Sequence, residues 1–271
     1  MKVHIVGAGR AGRSFEAALS GTGIAVDLIP GRSSADVLSV AARGCDAVLI
    51  AVPDRYVAGV AALIGPEEEG SAVVLHCSGS LGLDALGPAE IHPRRGSIHP
   101  LATLPDPVIG SLRLRGGTFF AVSGDQIATD LALALGGQPI VVAPEQRARY
   151  HAAACIASNH LVALLGQVQR VAAEAGLPLE AFVPLARGAL DDVTMLGPAG
   201  ALTGPAARGD HPTLEAHRAA IDPSERDGYD AGVVLASRLA AERDGLTVAD
   251  PSAADASSVP SSTSAGGPHW S

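Results

Sequence analysis

The sequence contains one lysine, Lys2, in 271 residues. A mechanism built on a lysine acid, base or Schiff base deep in the chain is therefore excluded. Aromatic residues make up only 3%, so the core must come from Ala, Val, Leu and Ile in small, closely packed elements. The three cysteines, Cys45, Cys77 and Cys155, are odd in number, widely spaced and set in apolar surroundings without a CxxC. This pattern fits reduced thiols in a cytoplasm better than a disulfide framework.

Positive charge is also scarce. Lys and Arg total 19 against 28 Asp and Glu, and no basic cluster stands out, so nucleic acid is not an expected partner. No window approaches the ~18 uncharged apolar residues of a spanning helix. The longest apolar stretch is interrupted by Ser158, Asn159, His160 and Gln167, and no association with a membrane is expected. The opening Met1-Lys2-Val3-His4-Ile5-Val6-Gly7 lacks the pattern of an export signal, which makes the cytoplasm the expected location. No metal-ligand spacing, GxSxG elbow or Walker-type GxxxxGK[ST] is found, so no metal is expected.

What is present is 47% hydrophobic residues, enough to exclude disorder for most of the length. Up to about residue 142, short β-branched runs (3–6, 25–29, 47–51, 72–76, 97–98, 118–122 and 139–142) alternate with Ala/Leu-rich helical stretches. That alternation predicts an α/β domain, a doubly wound, mostly parallel sheet over 1–144. From 145 the pattern is helical throughout. A long helix is predicted over about 145–175, ending at Gly176 before Leu177-Pro178, with shorter helices near 180–190, 213–221 and 225–243. Asp210 and Asp222 stand where N-caps belong. The prediction is an all-α domain over 145–247 and a disordered Ser/Ala/Pro/Gly tail over 248–271.

The strongest chemical signal is Gly7-Ala8-Gly9-Arg10-Ala11-Gly12, directly after the first strand and opening a helix. The first Gly permits the tight turn, the second lets backbone approach a pyrophosphate, and the third allows close helix–strand packing. The helix N-terminus adds N–H groups and dipole, so this context predicts a dinucleotide site. The second strand ends in Pro30-Gly31-Arg32-Ser33-Ser34, where a carboxylate for ribose hydroxyls would stand in an NAD site. A guanidinium and hydroxyls there suit a 2′-phosphate, which predicts NADP(H), although Arg32 can equally be an exposed loop arginine. Asp27 lies inside the strand and is expected to be structural or solvent-facing.

Val52-Pro53 and His76-Cys77-Ser78-Gly79-Ser80 follow the third and fourth strands, at the edge where open α/β sheets bind ligands. Val52 and Pro53 should face the cofactor. Ser78 is either a substrate ligand or a helix cap, and His76 is expected to point into the packing. His99, after the next strand, is either a proton donor or a loop histidine held by backbone. His92 is placed in a polar loop and not favoured. On the long helix, a spacing of ~100° per residue puts His151, Cys155, Ser158 and Asn159 within one arc and His160 opposite. Such a polar stripe marks either a substrate cleft or helix–helix hydrogen bonding. Thr203 and Arg208 lie in a Gly/Pro-rich connection and can hold a substrate carboxylate, with an Arg208–Asp210 structural pair as the alternative.

The Gly7–Gly12 turn joined through a long helix to an all-helical domain resembles the 6-phosphogluconate-dehydrogenase-like superfamily, with its Rossmann domain. That group includes ketopantoate reductase, pyrroline carboxylate reductase, prephenate dehydrogenase and deazaflavin-dependent NADP reductase. The blocks HCSGS (76–80), SIHPLATLPDP (97–107), YHAAACIASNHLVAL (150–164) and LTGPAARGD (202–210) resemble a bacterial Rossmann-like family whose helical C-terminal domain is of unknown function. This resemblance covers about residues 2–245 and implies NADPH-dependent reduction of a small 2-oxo acid, 2-dehydropantoate above all. An imine, a prephenate-like acid or a deazaflavin is the alternative, and a non-catalytic NADP-binding regulator is a different class of reading. The Lys, Asn, Asn series of ordinary ketopantoate reductases falls here on His151, Cys155 and Asn159, so His151 or His99 must serve as acid. A homodimer is implied by the same analogy.

Overall fold

A computed structural model describes residues 1–65 and 72–245, so the expected tail over 248–271 lies outside the described residues. The first part runs β1 (Lys2–Val6), α1 (Arg10–Ser20), β2 (Ala25–Ile29), α2 (Ala35–Ser39), β3 (Ala47–Ile50), α3 (Asp54–Leu63) and β4 (Val73–His76). It continues with β5 (Arg95–Pro100), α4 (Pro107–Leu114), β6 (Phe119–Gly124), α5 (Ile127–Ala134) and β7 (Gln138–Val141). All seven strands form one sheet in the order β2-β1-β3-β4-β5-β6-β7. The first five are parallel, β6 is antiparallel to β5, and β7 is parallel to β6. This is the doubly wound, Rossmann-like sheet that the alternating pattern predicts.

The strands explain their own burial. Every residue of β3 and β4 is buried, as continuous apolar runs must be when helices cover both faces. Successive side chains point to opposite faces. Val3 and Ile5 of β1 thus join a core with Phe15, Leu19 and Phe120, while Val6 joins another with Leu38, Val60 and Leu86. A Cβ on Gly110 of α4 would stand 2.1 Å from Ser14 Oγ of α1, so the missing side chain is what lets these helices touch. The chain leaves β1 for β2 on one side and reaches β3 on the other. The carboxyl ends of β1 and β3 therefore flank the switch point where such sheets bind ligands.

The long helix forms as α6 (Arg147–Cys155), a wider π turn (Ile156–His160) and α7 (Leu161–Glu174). It is followed by α8 (Val183–Ala201), α9 (Pro205–Arg208), α10 (His211–Ala220) and α11 (Arg226–Arg243). A break at Gly197, with φ of 71°, precedes Pro198 inside α8. Asp210 accepts from the Thr213 N–H at the start of α10, and Asp222 from the Ser224 N–H just before α11. Two compact units divide between Leu161 and Val162, inside the long helix rather than ahead of it at 144/145. The reason is that α6 is bonded to β5, through Arg147 to Ser97 and Tyr150 to His99. In the second unit, only Ala172 and Ala240 are buried among the described residues. No described helix is long and apolar enough to cross a membrane.

Candidate functional site

The turn after β1 is built as its glycines require. Gly7 has φ of +128°, and a Cβ there would come within 2.3 Å of the Ala51 carbonyl, so only glycine fits. A Cβ on Gly12 would overlap the Gly7 carbonyl at 1.7 Å, whereas Gly9 has nothing within 4 Å. Gly9 is therefore not demanded by packing; its open face leaves room for a ligand to reach the backbone. Arg10 begins α1, Ala8 and Ala11 keep the turn narrow, and the first helical turn has no acidic residue to compete for its N–H groups.

The neighbouring loops close over this turn. A Cβ on Gly31 would lie 2.7 Å from Val52 Cγ1 and 3.5 Å from Gly7 Cα, so the ends of β2 and β3 meet above Gly7. Pro53 caps α3, Ser33 donates its N–H to the Pro30 carbonyl, and Arg32 is exposed. Arg55, which the sequence reading missed, lies with its guanidinium 4.7 Å above the Tyr56 ring. Arg55 first, and Arg32 to a lesser degree, hold the Tyr56 phenol below its usual range. Two guanidinium groups thus serve one edge. Asp27 is committed elsewhere, 2.8 Å from Lys2 Nζ and 3.3 Å from His4 Nε2, and its carboxyl is held low chiefly by Lys2.

A second cluster gathers at the carboxyl ends of β4 and β5. His99 Nδ1 lies 2.5 Å from the Tyr150 hydroxyl, and the His151 ring stands edge-on at 6.1 Å. A Cβ on Gly79 would come within 2.7 Å of both His99 Nε2 and His151 Cδ2, so glycine lets the HCSGS loop meet the two imidazoles. Beside them is a cleft of about 590 Å³ lined by His99, Thr103, His151, Cys155, Ser158 and Asn159, with apolar residues between. The polar stripe of the long helix therefore faces a cavity. Cys155 Sγ is 3.8 Å from His151 Nε2, and Ser158 donates to Asn159 Oδ1 at 2.8 Å. The π turn lies within this lining, a form of helix often found at functional sites.

Burial dominates the electrostatics. It pushes His99 down to about 4, aided by His151, Arg147 and His76 and opposed by Asp54. His76 also falls to about 4, from burial and then Arg147. Tyr150 is pushed up to about 12 by burial, with Arg147 pulling the other way. Arg147, also missed from sequence, is 5% exposed. Its Nη2 donates to Ser97 Oγ, while its Nη1 has no hydrogen-bond partner. A cation so placed is costly.

Other expectations resolve differently. Ser78 Oγ accepts from the backbone N–H groups of Ser80 and Leu81, which ties it into the turn of the HCSGS loop. His76 is fully buried, with Nε2 3.1 Å from the Gly82 carbonyl. His92 is buried against the Ala61 carbonyl at 3.0 Å rather than lying in an open polar loop. Thr203 and Arg208 fall in the second unit. Thr203 lines an apolar cavity of about 670 Å³ with Leu164, Val168, Phe182 and Leu214, while Arg208 is exposed at the end of α9. That cavity is the roomier of the two, yet its walls carry few polar atoms and no cluster like that around His99.

Residues 119–234 match the model of a domain of unknown function, DUF2520. None of the curated proteins matches the chain. Among solved structures, protein TM1727 from Thermotoga maritima is 27% identical with a TM-score of 0.68, covering 89% of this chain and 99% of its own. A candidate NADP oxidoreductase from Bacteroides fragilis is 20% identical with a TM-score of 0.71, covering 88% and 98%. Pyrroline carboxylate reductase from Plasmodium falciparum, with NADP bound, is 15% identical with a TM-score of 0.58, covering 90% and 98%.

Proposed function

We propose that this chain is an NADP(H)-dependent oxidoreductase that reduces a small carbonyl compound, with a 2-oxo acid such as 2-dehydropantoate as the leading substrate. The observation that carries this reading is the pairing of the Gly7–Gly12 turn with the His99 cleft along one sheet edge. Likeness of fold to NADP-binding reductases supports it. Gly7, Ala8, Gly9, Arg10, Ala11 and Gly12 would hold the pyrophosphate, Val52 and Pro53 would border the cofactor, and Arg32 with Ser33 would take the 2′-phosphate. Bound there, the cofactor supplies the hydride.

The chain's own residues do the rest. Asn159 orients the acceptor, and His99 or His151 supplies its proton. Ser78, whose hydroxyl is engaged in the turn, acts through the shape of the HCSGS loop. The reading includes a homodimer: a helical unit with two buried alanines has apolar side chains to spare, including Leu185, Met195 and Leu196. A cytoplasmic location accords with the three free thiols. A cyclic imine is the second reading, favoured by the likeness to pyrroline carboxylate reductase.

NADPH oxidation should be followed with 2-dehydropantoate, other 2-oxo acids and cyclic imines, with NADH in parallel. Turnover with an oxo acid and NADPH is expected. Tight NADPH binding without turnover on any substrate would make the chain a cofactor-binding regulator instead, and failure to bind NADPH would sink the whole proposal.

A further inference from the structure

We infer that Tyr150 and Arg147 are positioning residues that turn His99 into a neutral proton donor, through a phenol–imidazole relay suited to a carbonyl oxygen. The inference rests on the reductase reading above and deepens it by naming the substrate class.

The argument begins with the two ring nitrogens. Nδ1 of His99 is taken by the Tyr150 hydroxyl at 2.5 Å, so Nε2 is the nitrogen left for a ligand. A Cβ on Gly79 would sit 2.7 Å from that same Nε2, so the absence of a side chain keeps it uncovered. Which nitrogen bears hydrogen depends on the direction of the Tyr150 bond. If the phenol donates to Nδ1, then Nε2 carries the hydrogen and faces outward as a donor.

Arg147 decides the direction. Its guanidinium is buried, its Nη1 has no partner among the described residues, and its Nη2 donates to a neutral serine hydroxyl. A buried cation favours negative charge on nearby oxygen, and Tyr150 is the anionic-capable group it acts on. The phenol O–H is thereby polarised toward Nδ1. The groups facing His99 are Tyr150, His151, Arg147, His76 and Asp54, and of these Asp54 alone favours an imidazolium. Burial and the neighbouring His151 and Arg147 hold the ring well below its ordinary value, so at neutral pH the resting form is the neutral imidazole and the imidazolium is not a ready acid.

A relay removes the difficulty. As the carbonyl carbon receives hydride, its oxygen gains the π electron pair and takes the Nε2 proton. Nδ1 takes the phenol proton in the same event. One N–H and one O–H bond break, one product O–H and one Nδ1–H bond form, and the imidazole stays neutral. The charge on the phenolate is offset by the field of the Arg147 cation. After release, the Nδ1 proton returns to the phenolate and water reprotonates Nε2, so one solvent proton is consumed per turnover. A preformed iminium already carries its proton and needs no such device. The arrangement points to a carbonyl compound as the natural acceptor.

The test pairs ¹⁵N NMR of the His99 ring in the unliganded, full-length protein with kinetics of Tyr150→Phe. The wild-type ring should be neutral with hydrogen on Nε2 from about pH 5 to 8, and Arg147→Gln should move its titration upward. Tyr150→Phe should lose that tautomer preference and lower kcat on a carbonyl at least tenfold, with KM and NADPH affinity within about twofold. Reduction of a preformed iminium should survive in the variant. An Nδ1–H or charged ring at neutral pH, or full carbonyl turnover by Tyr150→Phe, overturns the relay while leaving the reductase reading intact. No NADPH oxidation by the wild type with any carbonyl defeats both, whatever the ring tautomer.

Discussion

The two compact units of this chain solve the burial problem differently. In the first, helices cover both faces of a seven-stranded sheet, and side chains such as Phe15, Ile50 and Phe120 are fully buried. In the second, helices of similar Ala/Leu-rich composition bury only Ala172 and Ala240 among the described residues. Apolar composition alone therefore does not make a core; a helix needs a partner surface for its stripe. The first unit contains that surface in its own sheet, while the second surrounds an apolar cavity and leaves side chains such as Leu185, Met195 and Leu196 exposed.

The sharpest contrast should come from truncation of side chains. Phe120→Ala removes a fully buried ring and is expected to cost about 3–5 kcal/mol in urea unfolding. Leu196→Ala, at a side chain 61% exposed, should change stability by about 0.5 kcal/mol or less at dilutions where the protein is monomeric. An equally large cost at both sites would break the comparison and mean that the helical unit is covered even then.

Arg32→Glu should weaken NADPH binding about tenfold to a hundredfold and leave NADH nearly unchanged, by fluorescence titration. Equal losses for both cofactors would place the arginine away from the 2′-phosphate.

Acid should separate the units more subtly. His76 and His99 have folded values near 4 against 6.5, so between these pH values the unfolded chain binds more protons than the folded one. Stability conferred by the first unit should fall as pH drops from about 6.5 to 4. In the second unit Asp210, Asp222 and Glu225 are lowered from 3.8 or 4.5, held chiefly by Thr213, Ser224 and Arg170 respectively. Their contribution is present above those ordinary values and lost only as pH falls below them. Thermal unfolding followed from pH 7 to 3 should show the histidine phase first, and His99→Asn should flatten it. An unchanged profile in that variant would assign the acid loss elsewhere.

Much of this was legible before any coordinates. Periodicity located the strands, although β5 runs from Arg95 to Pro100 where only 97–98 is apolar, and β6 ends two residues beyond its run. Asp210 and Asp222 announced their caps because such signals are local. The Gly7–Gly12 turn was legible for the same reason. What could not be read is pairing across sequence distance. The Tyr150–His99 bond spans 51 positions and the Arg147–Ser97 bond 50, and nothing near either residue in sequence marks the other. The antiparallel β6 was equally hidden, since a strand's direction depends on where its neighbour lies. The turn in which the Ser78 hydroxyl accepts from the Ser80 and Leu81 N–H groups was hidden as well.

The single lysine has a practical consequence. Lys2 opens β1, at the opposite end of that strand from Gly7, and its side chain is 42% exposed with its ammonium beside Asp27. A strand of this length separates the two by roughly 16 Å. An amine-reactive dye could enter only at the Lys2 side chain or the Met1 α-amine, both at this end of β1, and would thus report on the protein from beyond the cofactor turn.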